Sequence, residues 1–321
     1  MSRGHFIGLN HHRIMLQDSV RMETYLAAIQ STVQPGDVVL DLGTGTGILA
    51  MWAAREDARR VFAVDPAPVI RLARRLARDN PNGERIEFFE TDSRELTLAE
   101  PVDVLVTECM GNFFVTDELA PVLRDARRHL KPGGLVIPSD IRMLVAPAFF
   151  PQLDDVTFWE SEIGGLDLSG ARDYALRTTY VRHVDPRLLM APPECLAAFP
   201  LLEAPDTIVG EVHFEVTRPC TIHALVGWFD ARLSQDITLS TGPGVETHWA
   251  QVVFPIPPVS LPAGSHMHAR LELCMDTAYQ SRWRWSGQCE GPDGTVIHSF
   301  AQDTEERFPT ASEGPSQTAI E

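Results

Sequence analysis

The ten residues Val38-Val39-Leu40-Asp41-Leu42-Gly43-Thr44-Gly45-Thr46-Gly47 constrain this chain more than any others. An apolar run ending in a glycine turn suits a parallel strand covered on both faces, and the following stretch, Ile48 to Arg60, reads as helix. Glycines at 43, 45 and 47 lack the Cβ that keeps a ligand away from a backbone. The turn departs from the dinucleotide fingerprint, whose third glycine follows the second by three positions. Here that gap is two, and an acid, Asp41, stands before the first glycine. The departure favours S-adenosylmethionine over NAD. S-adenosylmethionine has no pyrophosphate to sit on helix amides, and its ammonium and sulfonium are cations that a nearby acid stabilises.

The alternation of strand and helix continues through the first half. Met15, Val20, Met22, Leu26 and Ile29 fall at helical spacing before Pro35-Gly36, which predicts one helix over 15–29. Strands follow at 61–64, 86–89, 102–106 and 134–137, with helices at 69–79 and 119–130. This order implies an α/β fold with a doubly wound sheet. Asp65 ends the second strand, 24 residues after Asp41, where an acid accepts hydrogen bonds from ribose hydroxyls. Asp92 ends the third, placed to accept from an adenine amino group, with Ser93 beside it in the cofactor set. Singly, each acid is equally a helix cap or a loop residue; three at strand ends carry the cofactor reading.

After Pro138 the texture changes to short Thr-, Val-, Phe- and Trp-rich segments broken by Pro and Gly, which read as antiparallel β. The stretch from Phe158 to Tyr174 interrupts it, and 185–205 reads as a crossing loop. From Ala301 onward apolar content falls away, and a disordered tail is expected. Trp283-Arg284-Trp285 reads as sheet packing rather than a ligand cage, and Gly264-Ser265-His266-Met267 as natural strand sequence.

Forty-four acids against 27 bases leave a net charge of −17, which repels a polyanion and argues against nucleic acid as a partner. Lys131 is the only lysine, and this arginine bias points to a GC-rich, bacterial source. The five cysteines are odd in number and form no C-x-x-C pair, so neither a disulfide framework nor a zinc knuckle is indicated, and a reducing cytoplasm is expected. The first ten residues lack a signal-peptide core, and no run of about 18 apolar residues appears, so no membrane association is expected. His11-His12 and His266-x-His268 lack a third suitably spaced ligand, and no metal is expected.

The fourth strand ends in Thr107-Glu108-Cys109-Met110-Gly111-Asn112, followed by Asp117 and Glu118. Together with His12, the run Met15 to Arg21, the glycine turn and Thr247-His248-Trp249, this loop resembles the protein arginine methyltransferase family, over nearly all of residues 5 to about 300. The resemblance implies a Rossmann-like methyltransferase domain followed by an antiparallel β-barrel, with a helical arm that forms a homodimer. The expected boundaries are an N-terminal lid helix over 1–34, the cofactor domain over 35–138, the barrel over 139–300 with its arm at about 155–180, and the tail over 301–321.

The family's chemistry explains the acids. Guanidinium is planar and permanently cationic, so two carboxylates can bind it through paired charge-assisted hydrogen bonds. Holding its charge on the nitrogens that face the carboxylates leaves lone-pair character on the nitrogen aimed at the methyl donor. Glu108 matches the first acid. The family's spacing puts the second at Asp117, one methylene shorter than glutamate, with Glu118 one place beyond. Asn112 replaces the family's aromatic after Met-Gly. His248 matches the histidine facing the acceptor pocket and Asp18 its carboxylate partner, to orient the pocket or relay a proton. Arg21 is expected to hold the cofactor carboxylate, and His12 and Met15 to close the lid helix over Asp41, Gly43, Gly45, Asp65, Asp92 and Ser93.

The expected activity is therefore S-adenosylmethionine-dependent methylation of an arginine guanidino nitrogen. Free L-arginine is favoured as acceptor: the resemblance extends to bacterial relatives that methylate the free amino acid in nitrosourea-type natural-product (antibiotic) biosynthesis, and the arginine-biased composition, the altered second acid and the lack of a substrate-recruiting domain lean the same way. Peptidyl arginine is the alternative, and a non-catalytic methyltransferase-like binding protein is the reading from another class.

Overall fold

The computed structural model describes residues 8–114, 119–275 and 281–307. The helix expected over 15–29 is two helices, α1 (Leu9–Gln17) and α2 (Ser19–Thr32). Asp18 separates them in extended backbone, and its Oδ1 accepts from the Arg21 N–H at 2.9 Å, capping α2. The alternation then runs β1 (Val38–Leu42), α3 (Ile48–Arg55), β2 (Arg60–Val64), α4 (Ile70–Arg78), β3 (Ile86–Phe89), β4 (Val102–Thr107), α5 (Leu119–Ala126) and β5 (Leu130–Ile137). Helix α3 is shorter than expected, and Arg60 opens β2 instead of closing the helix.

These five strands form one parallel sheet in the order β3-β2-β1-β4-β5. Strand β1 is buried along its whole length, as its unbroken apolar run required. Tyr25 of α2 is 1% exposed, and its hydroxyl donates to the Thr107 carbonyl at the end of β4, at 3.0 Å.

The chain continues as β6 (Asp140–Ala148), α6 (Asp154–Thr157), β7 (Glu162–Ile163), β8 (Leu166–Asp167), α7 (Arg172–Leu176), β9 (Tyr180–Arg182), β10 (Glu194–Pro200), β11 (Thr207–Val216), β12 (Cys220–Arg232), β13 (Thr238–Ser240), β14 (Gln251–Leu261), β15 (Ser265–Met275), β16 (Ser281–Glu290) and β17 (Val296–Asp303). One sheet has the order β10-β6-β12-β14-β9, with β13 beside β12; another has the order β11-β15-β16-β17 and is antiparallel throughout. Buried and exposed residues alternate along β11 from Glu211 to Val216, the pattern of a sheet with one face on a core. Trp283 and Trp285 are 6% and 1% exposed; Trp285 Nε1 donates to the Pro255 carbonyl at 2.7 Å, so this pair packs the sheet as expected.

Three expectations change. The crossing loop over 185–205 contains strand β10. The tail does not begin at 301, because β17 runs to Asp303 and a single 3-10 turn, Thr304–Arg307, follows. Trp283 N–H donates to Thr304 Oγ1 at 3.0 Å, tying that turn to the sheet; residues 308–321 lie outside the described residues. The linear division near residue 138 is also replaced. One compact unit contains the residues up to Leu144 together with Ala197–Asp206 and Trp228–Gln251; the other contains Val145–Leu196, Thr207–Gly227 and the residues from Val252 onward. Among the described residues no helix is long and apolar enough to cross a membrane.

Tyr25→Phe leaves the buried Thr107 carbonyl short of a donor and is expected to cost about 1–3 kcal/mol, read as a lowered urea midpoint with unchanged slope.

Candidate active site

In the parallel sheet the chain order reverses between β1 and β4, and such a reversal opens a crevice at the carboxyl ends of the two strands. Gly43 leaves β1 there and Glu108 leaves β4. Gly43 has φ +74°, and a Cβ placed on it would lie 2.2 Å from Cys109 Sγ. The glycine turn and the Glu108 loop therefore pack against each other with no room for a side chain between them. Burial pushes the Cys109 thiol up to about 12, so this cysteine is a packing group and not a nucleophile.

The glycine turn is built on two acids. Asp41 is fully buried; its Oδ2 accepts from Thr44 Oγ1 at 2.6 Å and from the Ala50 N–H at 3.0 Å, while its Oδ1 has no hydrogen-bond partner. Burial lifts its carboxyl to about 7. Asp65 accepts from the Gly45 and Ala67 N–H groups at 2.9 and 2.8 Å, and burial raises its carboxyl too. His12 covers the turn from α1: it is 8% exposed, and a Cβ on Gly45 would lie 3.1 Å from its Cε1. Burial lowers the basicity of His12, against the pull of Asp65.

Asp92 answers to the cap reading. It accepts from the Arg94 N–H at 2.9 Å and pairs with the Arg94 guanidinium at 3.0 and 2.6 Å, an interaction that lowers its carboxyl. Ser93 is buried beside it. A buried carboxyl oxygen of Asp41 without a hydrogen-bond partner and a second acid, Asp65, at the next strand end fit a cationic, ribose-bearing cofactor. Asp41, Asp65 and His12 would hold it.

Arg21 reaches the Glu108 loop. Its Nε donates to Glu108 Oε2 at 2.8 Å and its Nη2 bonds the same oxygen, while its Nη1 reaches the Met15 carbonyl at 3.2 Å and Met22 Sδ at 3.1 Å. Both side chains are buried, 7% and 4% exposed. A carboxylate removed this far from water needs a compensating charge, and the arginine fork supplies it. Arg21 thus compensates Glu108, and Met15 contributes its backbone to holding that arginine.

Asp18 joins two further parts. Its Oδ2 accepts from the His248 backbone N–H at 2.7 Å and lies 2.8 Å from His248 Nδ1. Burial pushes the Asp18 carboxyl up, but hydrogen bonds from the His248 ring and from the Arg21 and His248 amides hold it below the ordinary carboxylate range. Ionised Asp18 retains the proton on Nδ1, leaving Nε2 as the basic nitrogen. The Asp18 and His248 pairing expected from sequence is therefore present.

The next two residues meet the Glu108 loop. Trp249 Nε1 donates to the Met110 carbonyl at 2.9 Å, and the Ala250 N–H donates to Asn112 Oδ1 at 3.0 Å. Phe113 and Phe114 follow with φ of +53° and +70°, both buried. Such angles are outliers for bulky residues and cost of order 1–3 kcal/mol each. Sequence reasoning missed Asn112, Trp249 and Cys109 as parts of one frame; the Thr-His-Trp triplet was visible, its partners were not. Asp117 and Glu118 lie outside the described residues. Among the described residues no group of three or more His, Cys, Asp or Glu side chains is placed to hold a metal ion.

Asp41 predicts a pH dependence. Its folded-state pKa of about 7 lies above the unfolded value of roughly 3.9, so its contribution to stability is fully present below the unfolded value and is lost as pH rises through 7. Unfolding free energies measured from pH 4 to 8 are expected to fall for the wild type relative to Asp41→Asn.

Residues 39–134 match the methyltransferase domain family, and residues 142–284 the arginine methyltransferase oligomerization subdomain. The chain is 31% identical over 300 residues to protein arginine N-methyltransferase PRMT10 of Oryza sativa subsp. japonica, covering 81% of this chain and 79% of the relative. It is 32% identical over 302 residues to the probable histone-arginine methyltransferase CARM1 of Oryza sativa subsp. indica, covering 85% of this chain and 56% of the relative. The crystal structure of Arabidopsis thaliana protein arginine methyltransferase 10 is similar with a TM-score of 0.83 at 26% identity, covering 93% of this chain and 98% of that one. The Trypanosoma brucei PRMT1 enzyme-prozyme complex with AdoHcy shares the fold, with a TM-score of 0.85 at 24% identity and coverage of 94% and 99%. These similarities set aside the non-catalytic reading. The chain belongs to the protein arginine methyltransferase family and is an S-adenosylmethionine-dependent arginine methyltransferase.

Proposed function

We propose that this enzyme methylates guanidino nitrogens of peptidyl arginine, with Glu108 as the first acid of the acceptor clamp. One observation carries the role of Glu108: a buried carboxylate on the loop that packs directly against the cofactor turn through Cys109 and Gly43. When bound, S-adenosylmethionine supplies an electrophilic methyl group. Glu108 binds the arginine cation and orients one nitrogen toward the turn; Arg21 keeps the Glu108 carboxylate fixed and compensated. The second acid is Asp117, with Glu118 beside it as the longer alternative. The proton lost from the methylated guanidinium passes to His248 Nε2, since Asp18 holds the proton of Nδ1 in place.

Arg21 supports the cofactor site indirectly, through Met15 and Glu108, and Asp92 and Ser93 border its adenine end. The relatives named as protein N-methyltransferases support a peptide acceptor over free L-arginine, which rested on composition and the altered second acid. They are eukaryotic and lend nothing to a bacterial, biosynthetic setting; a cytoplasmic location rests on cysteine usage alone. The segment at about 155–180 is the dimerisation arm of a homodimer. Phe158, Ile163 and Leu166 leave 50%, 51% and 68% of their surface exposed there, more than a free monomer surface would favour at neighbouring positions.

The test supplies methyl-labelled S-adenosylmethionine with an arginine-rich peptide or with free L-arginine and reads the products by mass spectrometry. Label in the peptide alone is expected, and label in the free amino acid alone would overturn the peptide assignment. Glu108→Gln is expected to lower the methylation rate by about 100-fold or more while calorimetry shows cofactor binding retained; full activity in that variant would remove Glu108 from the clamp.

A further inference from the structure

We infer that Asn112 is a positioning residue: by accepting from the Ala250 N–H it latches the Glu108 loop in its left-handed turn and so sets how Glu108 meets its substrate. The inference rests on the proposed function only in giving Glu108 a substrate to meet. The loop has a reason to need a latch. Two consecutive phenylalanines with positive φ do not hold themselves there, because bulky L-residues relax toward negative φ when nothing opposes them. A bridge between Gly111 and Phe114 closes the turn, and its two flanks are fixed from outside.

Trp249 Nε1 holds the Met110 carbonyl on one side of Gly111, and Asn112 Oδ1 holds the Ala250 N–H on the other. Both anchors come from the two residues after His248, whose own backbone N–H is fixed by Asp18. Strain in the loop, its latch and the segment after His248 therefore form one connected frame. Asparagine suits the position because its short side chain places an acceptor oxygen within reach of the Ala250 N–H.

Alanine at 112 removes the acceptor from an amide whose residue is 8% exposed, and the turn loses an outside anchor. The test compares wild type, Asn112→Ala and Asn112→Asp, which keeps an acceptor oxygen at the same reach. Hydrogen exchange at the amides of 109–114 is expected to quicken about tenfold in Asn112→Ala, and KM for an arginine-containing peptide to rise about tenfold, the loss of one net hydrogen bond. Cofactor affinity and melting temperature are expected to stay near wild type, and Asn112→Asp to restore both exchange and KM.

Unchanged exchange and KM in Asn112→Ala would overturn the inference. So would equal impairment of the two variants, or a loss of cofactor binding together with a lowered melting temperature, which would mark a purely structural residue. If the wild type methylates no arginine substrate, the proposed function fails by itself, and the exchange comparison still decides whether the latch exists.

Discussion

The site depends on one close approach, that of Gly43 to Cys109 across the carboxyl ends of β1 and β4. A parallel sheet whose order reverses between those strands leaves a crevice there, and a side chain at position 43 would collide with Cys109. Because the glycine is bare, the loop carrying Glu108 settles directly against the turn built by Asp41 and Asp65.

Charge is arranged around that contact with little water to screen it. Arg21 offsets Glu108, and Asp18 is held ionised by hydrogen bonds at a helix cap and at His248. Asp41 has no such compensation for its Oδ1, and burial pushes its carboxyl up to about 7. The two acids thus depart from the ordinary carboxylate range in opposite directions, Asp18 downward through its hydrogen bonds and Asp41 upward through burial.

Much of this was legible in the sequence, because it is local. The unbroken apolar run of β1, the acids at strand ends and the glycine spacing each depend on residues adjacent in the chain. The motifs at 107–112 and 247–249 were legible as well, and so was the pairing of Asp18 with His248, through the family likeness. The pairing of Arg21 with Glu108 was not legible for a physical reason: 87 positions separate them, and the arginine is drawn to a buried carboxylate that needs a compensating charge. The break at Asp18 was also hidden, since the apolar spacing on both sides of it is in helical phase while the cap is a matter of one carboxylate and one amide.

By itself the sequence determined the strand and helix alternation of the first half, the cofactor class and the acids available to bind a cation. Only the tertiary structure decided which of them act together. It carried Trp228–Gln251 into the unit that holds the glycine turn, although that segment lies beyond the strands of the parallel sheet in sequence. It also set Asn112 and Met110 against Ala250 and Trp249, across 138 and 139 residues of chain. Local propensity has no information at that separation; such contacts exist because burying the connected segments outweighs the entropy of closing so long a loop, a cost that grows only slowly with length.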